Sequence, residues 1–179
     1  MTMTTANAVL TRWNGLDAVA AVREILPCCG SSAWANVVVA RRPFADPDEL
    51  LRASDAIWSA LPEPDWCEAF DSHPRIGQEH ARTATAASLA WSSDEQRAAM
   101  SGAGSKEEAA KLALAEGNRQ YEERFGRIFI VCAAGRSAAE ILDILNMRMR
   151  NTAADELLEA AEQQRQITQL RLRRWLGVN

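Results

Sequence analysis

The stretch "SKEEAAKLALAEGNRQYEERFG", residues 105–126, followed at once by "RIFIVCAA", residues 127–134, decides the fold class. The first part is dominated by Ala, Leu, Glu, Lys and Arg, all strong helix formers. Ser105 and Glu108 stand at capping-box spacing, and Gly126 supplies a C-terminal stop. The second part is aromatic and β-branched, which favours an extended backbone. No convincing second strand exists elsewhere to pair with it. A lone extended run cannot make a sheet, so residues 127–134 read as a buried extended segment between two helices.

The neighbouring segments repeat the helical signals. "GRSAAEILDILNMRMRN" pairs Ser137 with Glu140 at capping-box spacing. "TAADELLEAAEQQRQITQLRLRRWLG" reads as one long amphipathic helix that stops at Gly177. Upstream, "ADPDELLRASDAIWSALP" places Asp46 as an N-cap and Pro47 at the first helical position. Leu50, Leu51, Ile57, Trp58 and Leu61 form its apolar stripe, and Pro62 ends it. "SSAWANVVVARRP" opens on a serine cap and stops before Pro43. The expected architecture is a single all-α domain spanning residues 1–179, with about seven or eight helices and a flexible lead-in of roughly 12 residues.

The chain has 179 residues, 47% of them hydrophobic, and a net charge of -4. That is enough for a real core, and the charge argues against nucleic acid as a main partner. The basic run "LRLRRWLGVN" reads as the solvated last turn of a helix, where Arg favours the negative dipole end. The start lacks the basic and apolar regions of a signal peptide, and no run is long enough for a membrane span. A cytoplasmic protein without a membrane partner is expected. Cys28, Cys29, Cys67 and Cys132 form no C-x-x-C pair and read as reduced, mostly buried side chains. The only lysines, Lys106 and Lys111, lie on a charged helix face, which disfavours imine chemistry.

Four stretches could carry chemistry. In "DSHPRIGQEH" the Pro74 ring pushes His73 out of the helical region, and Gly77 permits a sharp turn. His73 then sits on a fixed loop, with an imidazole that can donate or accept a proton near neutral pH. The bland alternative is a helix-ending turn. A metal set of Asp71, His73, Glu79 and His80 is a further reading, although the seven-residue gap between the histidines does not place both on one helical face. In "WSSDEQRAAM", Ser92 and Glu95 have capping-box spacing; a helix N-terminus there would suit an anion, and Glu95 and Gln96 could bind a polar heterocycle. In "FGRIFIVCAAGRS", the backbone groups of a buried extended segment need partners, and a flat amide-rich ligand could supply them. In "NMRMRN", Arg148 or Arg150 could face a carboxylate.

Together these stretches resemble the 2-oxo-4-hydroxy-4-carboxy-5-ureidoimidazoline (OHCU) decarboxylases of urate degradation. "SHPRIG", "SSDEQ", "YEERFGRIFIVCAAGRSAAEIL" and "RMRN" follow in the family's order, and the resemblance runs from about Trp13 to Leu172. It implies an all-helical, usually dimeric fold without cofactor or metal, and loss of CO2 from the ureidoimidazoline acid to give (S)-allantoin. By motif position His73 resembles the catalytic histidine and Glu95 its carboxylate partner. Pro74, Ser92, Gln96, Arg148 and the backbone near Ile130 resemble ligand-holding positions. The carboxylate could fall to Arg136, Arg148 or Arg150. The chain departs from the family at "CCGSSAWA", where only Ser32 and Trp34 fit, and at Ile128, where a proline is usual. The competing readings are a metal-dependent hydrolase centred on His73 and His80, and a non-enzymatic helical binding module.

Overall fold

A computed structural model describes residues 6–77 and 85–178. Nine helices occur among them: α1 (Ala8–Asn14), α2 (Ala18–Cys29), α3 (Ser32–Ala40), α4 (Pro47–Ala60), α5 (Glu63–Asp71), α6 (Ala86–Ser101), α7 (Ser105–Phe125), α8 (Ala138–Arg148) and α9 (Ala153–Leu176). The described residues contain no strand, in keeping with the all-α reading. The count exceeds the expected seven or eight by the short α1 and α5, which are too brief for a helical period to show in the sequence.

Most expected caps are present. Asp46 caps α4 by accepting from the Glu49 N–H, with Pro47 in the first turn. Ser137 and Glu140 form the full reciprocal capping box of α8. Ser31 caps α3, and Gly126 ends α7 with φ +69°. One cap differs: α7 is preceded by Gly104 and has no side-chain cap, and Ser105 is its first helical residue. Glu108, the expected partner of Ser105, accepts instead from Lys111 Nζ at 2.8 Å.

The chain forms two compact units. The first comprises residues up to Glu68 and from Arg165 onward. Its core is aromatic: Trp13 and Trp34 are fully buried, and their indole N–H groups donate to the Ala21 carbonyl (3.1 Å) and Ser54 Oγ (3.3 Å). Trp13 stacks on Phe44 and meets Trp175 edge-on. Ser32, at the start of α3, is held through both N–H and hydroxyl by Glu68, at 3.0 and 2.6 Å. The final basic run is not wholly solvated as expected. Arg171 is fully buried and donates to the Pro27 carbonyl at 3.3 Å. Its position on α9 falls on the stripe of Ala160, Ile167 and Leu172, so helical periodicity carries it inward despite its charge.

The second unit, Ala69–Gln164, holds the motifs of interest. Its apolar centre gathers Ile76, Ala99, Leu114, Tyr121, Phe129, Val131, Ala133, Ile141 and Leu145. Gly117 lets α7 and α8 approach closely: a Cβ there would lie 3.0 Å from the Leu145 side chain.

The four cysteines are free, and Cys67 alone of them is not buried. Burial raises the Cys29 thiol from 9.0 to about 12. The folded state keeps that proton while an unfolded chain would lose it. The resulting stability is complete below pH 9 and is lost as pH rises from there towards about 12. Native protein at mildly alkaline pH is therefore expected to show a single fast-reacting thiol in a dithionitrobenzoate titration, removed by Cys67→Ser. Rapid modification of Cys28, Cys29 or Cys132 would contradict the packing.

Candidate active site

The loop after α5 is shaped by local chemistry. The N–H groups of Ser72 and His73 turn back to the carbonyls of Ala69 and Phe70, both at 3.1 Å, tightening the last turn. The Ser72 hydroxyl also donates to Ala69, at 2.7 Å. Pro74 has no N–H to continue the helix. Gly77 then adopts φ +82°, a conformation that disfavours any side chain. His73 is 8% exposed, and its Nε2 is shielded from solvent.

Two struts fix this loop. The Gly77 N–H donates to Gln96 Oε1 on α6 at 2.9 Å. Arg75 makes a two-pronged ion pair with Glu122 on α7, its Nη2 lying 2.7 Å from Oε2. Hydrogen bonding to Glu122 raises the Arg75 guanidinium above its ordinary value. Between the struts, Ile76 enters the apolar cluster. Gln78, Glu79 and His80 lie outside the described residues, and so does half of the proposed metal set. Among the described residues no three His, Cys, Asp or Glu side chains converge.

The structure corrects the reading of Ser92. Helix α6 begins at Ala86, where Thr85 accepts from the Ser88 N–H. Ser92 and Glu95 therefore lie mid-helix, and no helix N-terminus is present there to hold an anion. The cause is the favourable helix propensity of "AASLAW", which carries the helix back to the earlier threonine. Ser88, Ser92 and Ala99 are buried on one face of α6, and Glu95 and Gln96 are half-buried. The spacing is that of a helical stripe, so the serines turn towards the protein rather than towards the helix end.

The segment after α7 is buried from Phe129 to Ala133 and has neither helical nor strand hydrogen bonding. Side chains supply its partners. Arg148 Nη1 donates to the Ile130 carbonyl at 2.6 Å. Gln163 Oε1 accepts from the Cys132 N–H at 2.9 Å, and Arg136 Nε donates to the Cys132 carbonyl at 3.1 Å. In an extended chain, alternate residues present their backbone groups to the same edge. These three pins fall on residues 130 and 132 and hold one edge. Among the described residues, the Val131 N–H and carbonyl and the Ala133 N–H make no hydrogen bond, although both residues are at least nine-tenths buried. Buried backbone groups rarely go unsatisfied, so this edge is open to a further hydrogen-bonding partner.

Arg148 is expected from its motif to hold a ligand, but its guanidinium is directed inward. Its Nε and Nη2 both donate to Glu156 Oε1, at 2.9 and 2.5 Å, and its ring-like plane lies 4.7 Å from the Phe129 centroid. Glu156 also accepts from the Tyr121 hydroxyl (2.5 Å) and Asn151 Nδ2 (2.8 Å). Burial, then Glu156 itself, pushes the Tyr121 phenol well up, so it stays a donor. Arg150 is exposed, while Arg136 is half-buried.

The site is thus gathered by one apolar cluster: Ile76 from the His73 loop, Ala99 from α6, and Phe129, Val131 and Ala133 from the extended segment. A cavity of about 650 Å³ lies against Arg75, Gly77, Leu114, Asn118 and Glu122. Neither His73 nor Glu95 is among the residues that line it. Two residues missing from the sequence reading matter here: Glu156 and Gln163. The available signal was Glu156 on the apolar stripe of α9, where a buried charge demands a partner.

Glu156 and Arg148 are 0% and 2% exposed. Removing one partner leaves the other charge buried, a loss of about 3–5 kcal/mol. The Arg75–Glu122 pair is partly exposed and water-screened, close to the class worth about 0–1 kcal/mol. Urea unfolding is expected to rank Glu156→Ala far below Glu122→Gln in stability. Equal losses in the two variants would refute the ranking.

Comparison with known proteins bears on this site. The sequence matches the family model described as OHCU decarboxylase over residues 14–173. It is 36% identical over 145 residues to "Uric acid degradation bifunctional protein TTL" of Arabidopsis thaliana, covering 81% of this chain and 44% of that protein. The chain therefore spans less than half the length of that relative. It is 30% identical over 152 residues to the 2-oxo-4-hydroxy-4-carboxy-5-ureidoimidazoline decarboxylase of Amia calva, covering 84% and 81% of the two chains. A crystal structure of OHCU decarboxylase in the presence of (S)-allantoin matches with TM-score 0.73 and 35% identity, over 86% of this chain and 97% of that one. A crystal structure of (S)-allantoin synthase matches with TM-score 0.67 over 95% of this chain and 53% of that one; at 16% identity it shares the fold alone.

Proposed function

The chain belongs to the OHCU decarboxylase family, and on that premise we propose that it converts 2-oxo-4-hydroxy-4-carboxy-5-ureidoimidazoline to (S)-allantoin and CO2. The observation that carries the reading is the open backbone edge of Val131 and Ala133. It offers two N–H donors and one carbonyl acceptor from buried residues, which complements a flat ring bearing ureide groups.

Decarboxylation breaks the bond to the carboxylate and leaves an electron pair on carbon. In this substrate the conjugated imine and carbonyl accept that pair, so the sink that other decarboxylases take from a cofactor is internal. The protein's tasks are to orient the ring, to exclude water and to deliver a proton to one face. His73, on its strutted and largely buried loop, is assigned the proton relay. Glu95 orients His73 or the substrate hydroxyl, and the Ser92 hydroxyl and Gln96 amide complete the polar wall. Pro74 shapes the loop that holds His73. Proton delivery from one side accounts for a single enantiomer. The reading has the enzyme acting as a homodimer in the cytoplasm. Among the described residues no helix is long and apolar enough to cross a membrane.

The test generates the unstable substrate in situ from urate with the upstream enzymes and follows chiral allantoin by circular dichroism. Wild-type protein is expected to accelerate (S)-allantoin appearance. His73→Asn, folded as judged by far-ultraviolet spectra, is expected to lose about 10²–10⁴-fold in kcat. Full activity in that variant would remove His73 from the mechanism, and no acceleration by wild-type protein would favour the binding-module reading.

A further inference from the structure

The bonding of Arg148 poses a question that the proposed decarboxylation leaves open. Nε and Nη2 are bound to one oxygen of Glu156, Nη1 is bound to the Ile130 carbonyl, and one face lies against Phe129. Turning this group towards a ligand would strand the Glu156 carboxylate, which is fully buried. A simple structural ion pair, on the other hand, has no need of a third bond to a loop carbonyl. That bond reaches a segment whose opposite edge is open among the described residues.

We infer that Arg148, oriented by Glu156, is a positioning residue: it fixes the Ile130 carbonyl and so sets how the Val131 and Ala133 edge meets the substrate. The inference rests on the decarboxylase reading for what the edge binds, but not for the pinning itself. The parts fit that role. Tyr121 and Asn151 donate to Oε1 and Oε2 of Glu156, which stops the carboxylate from rotating. A fixed carboxylate fixes the plane of the guanidinium fork. The fork then aims its remaining arm, Nη1, at residue 130. Gln163 and Arg136 pin residue 132 on the same edge, so the backbone between the pins has little freedom to turn. Lysine cannot replace this device, because an ammonium has no rigid fork to span Glu156 and the carbonyl together.

Two variants test it. Arg148→Lys keeps the charge and loses the fork. Arg148→Met with Glu156→Leu removes the pair as a unit, which avoids an isolated buried charge and keeps the protein foldable. Each is compared with wild type in the coupled allantoin assay, and amide hydrogen exchange is followed for the peptide covering residues 129–134. The expected result is a KM raised about 10-fold or more with kcat within about 3-fold, as lost binding geometry without lost chemistry would give. Exchange should quicken in that peptide without a matching change elsewhere. Unchanged KM and unchanged local exchange in a folded variant would overturn the inference. So would a collapse of kcat at constant KM, which would place Arg148 in the chemical step. Exchange that quickens evenly across the protein would mark a general structural role and likewise overturn it. If wild-type protein has no decarboxylase activity, the functional reading fails, and the exchange comparison still decides the pinning.

Discussion

The buried carboxylate of Glu156 is the constraint from which the site geometry follows. An ionised group without water must have its lone pairs filled, or it will not stay ionised. Here four donors converge on it from three side chains: two nitrogens of Arg148, the Tyr121 hydroxyl and the Asn151 amide. Those residues come from α7, α8 and the turn before α9. Satisfying one carboxylate therefore fixes the relative placement of three stretches of chain. The segment 129–133 is the dependent variable, because Arg148 has one arm left and places it on Ile130.

The His73 loop is held by a different kind of interaction. Its Arg75–Glu122 strut is partly exposed to water, and its Gln96–Gly77 strut is a single amide hydrogen bond. Each is weaker than the buried pair, yet they act on a loop already narrowed by Pro74 and by the positive φ of Gly77. The two halves of the site thus combine a stiff backbone platform with a loop whose stiffness comes mostly from covalent restriction. On the proposed function, covalent restriction suits the mount of a proton-transferring group, because it holds the His73 backbone without bonds that the side chain would have to break. A binding edge needs the firmer hold, because small errors in its position are felt directly as lost hydrogen bonds.

What the sequence revealed follows from the range of the interactions involved. Caps such as Asp46 with Pro47 and Ser137 with Glu140 act over three or four residues, and they were readable. The buried extended segment was readable as well, because its composition differs sharply from its surroundings. Ser92 misled because a capping box describes two residues without saying where the helix begins. The propensity of "AASLAW" overrode it and moved the start to Thr85. Arg171 misled for a related reason. A charged residue on a helix is assigned to water by default, but its place on the apolar stripe was the stronger fact. The partners of Arg148 lie 8 and 18 residues away along the chain. Pairing at that range depends on how helices pack, which local patterns do not encode.

On the proposed function, an all-helical protein that reads an amide-rich ring faces a shortage of backbone. A helix satisfies its own N–H and C=O groups along its length, leaving only its ends. A strand inside a sheet uses both of its edges. A free strand edge would serve, but a lone extended run has no sheet to hold it and would collapse or pair elsewhere. Side chains resolve this conflict in residues 129–133 by doing on one edge what a neighbouring strand would do. Arg148, Gln163 and Arg136 stand in for the missing ladder, and the other edge remains open. On this view the buried ion pair contributes specificity more than stability. Apolar side chains of similar volume could fill the same space, but they would leave the Tyr121 hydroxyl and Asn151 amide without their acceptor, and none could hold residue 130 by its carbonyl.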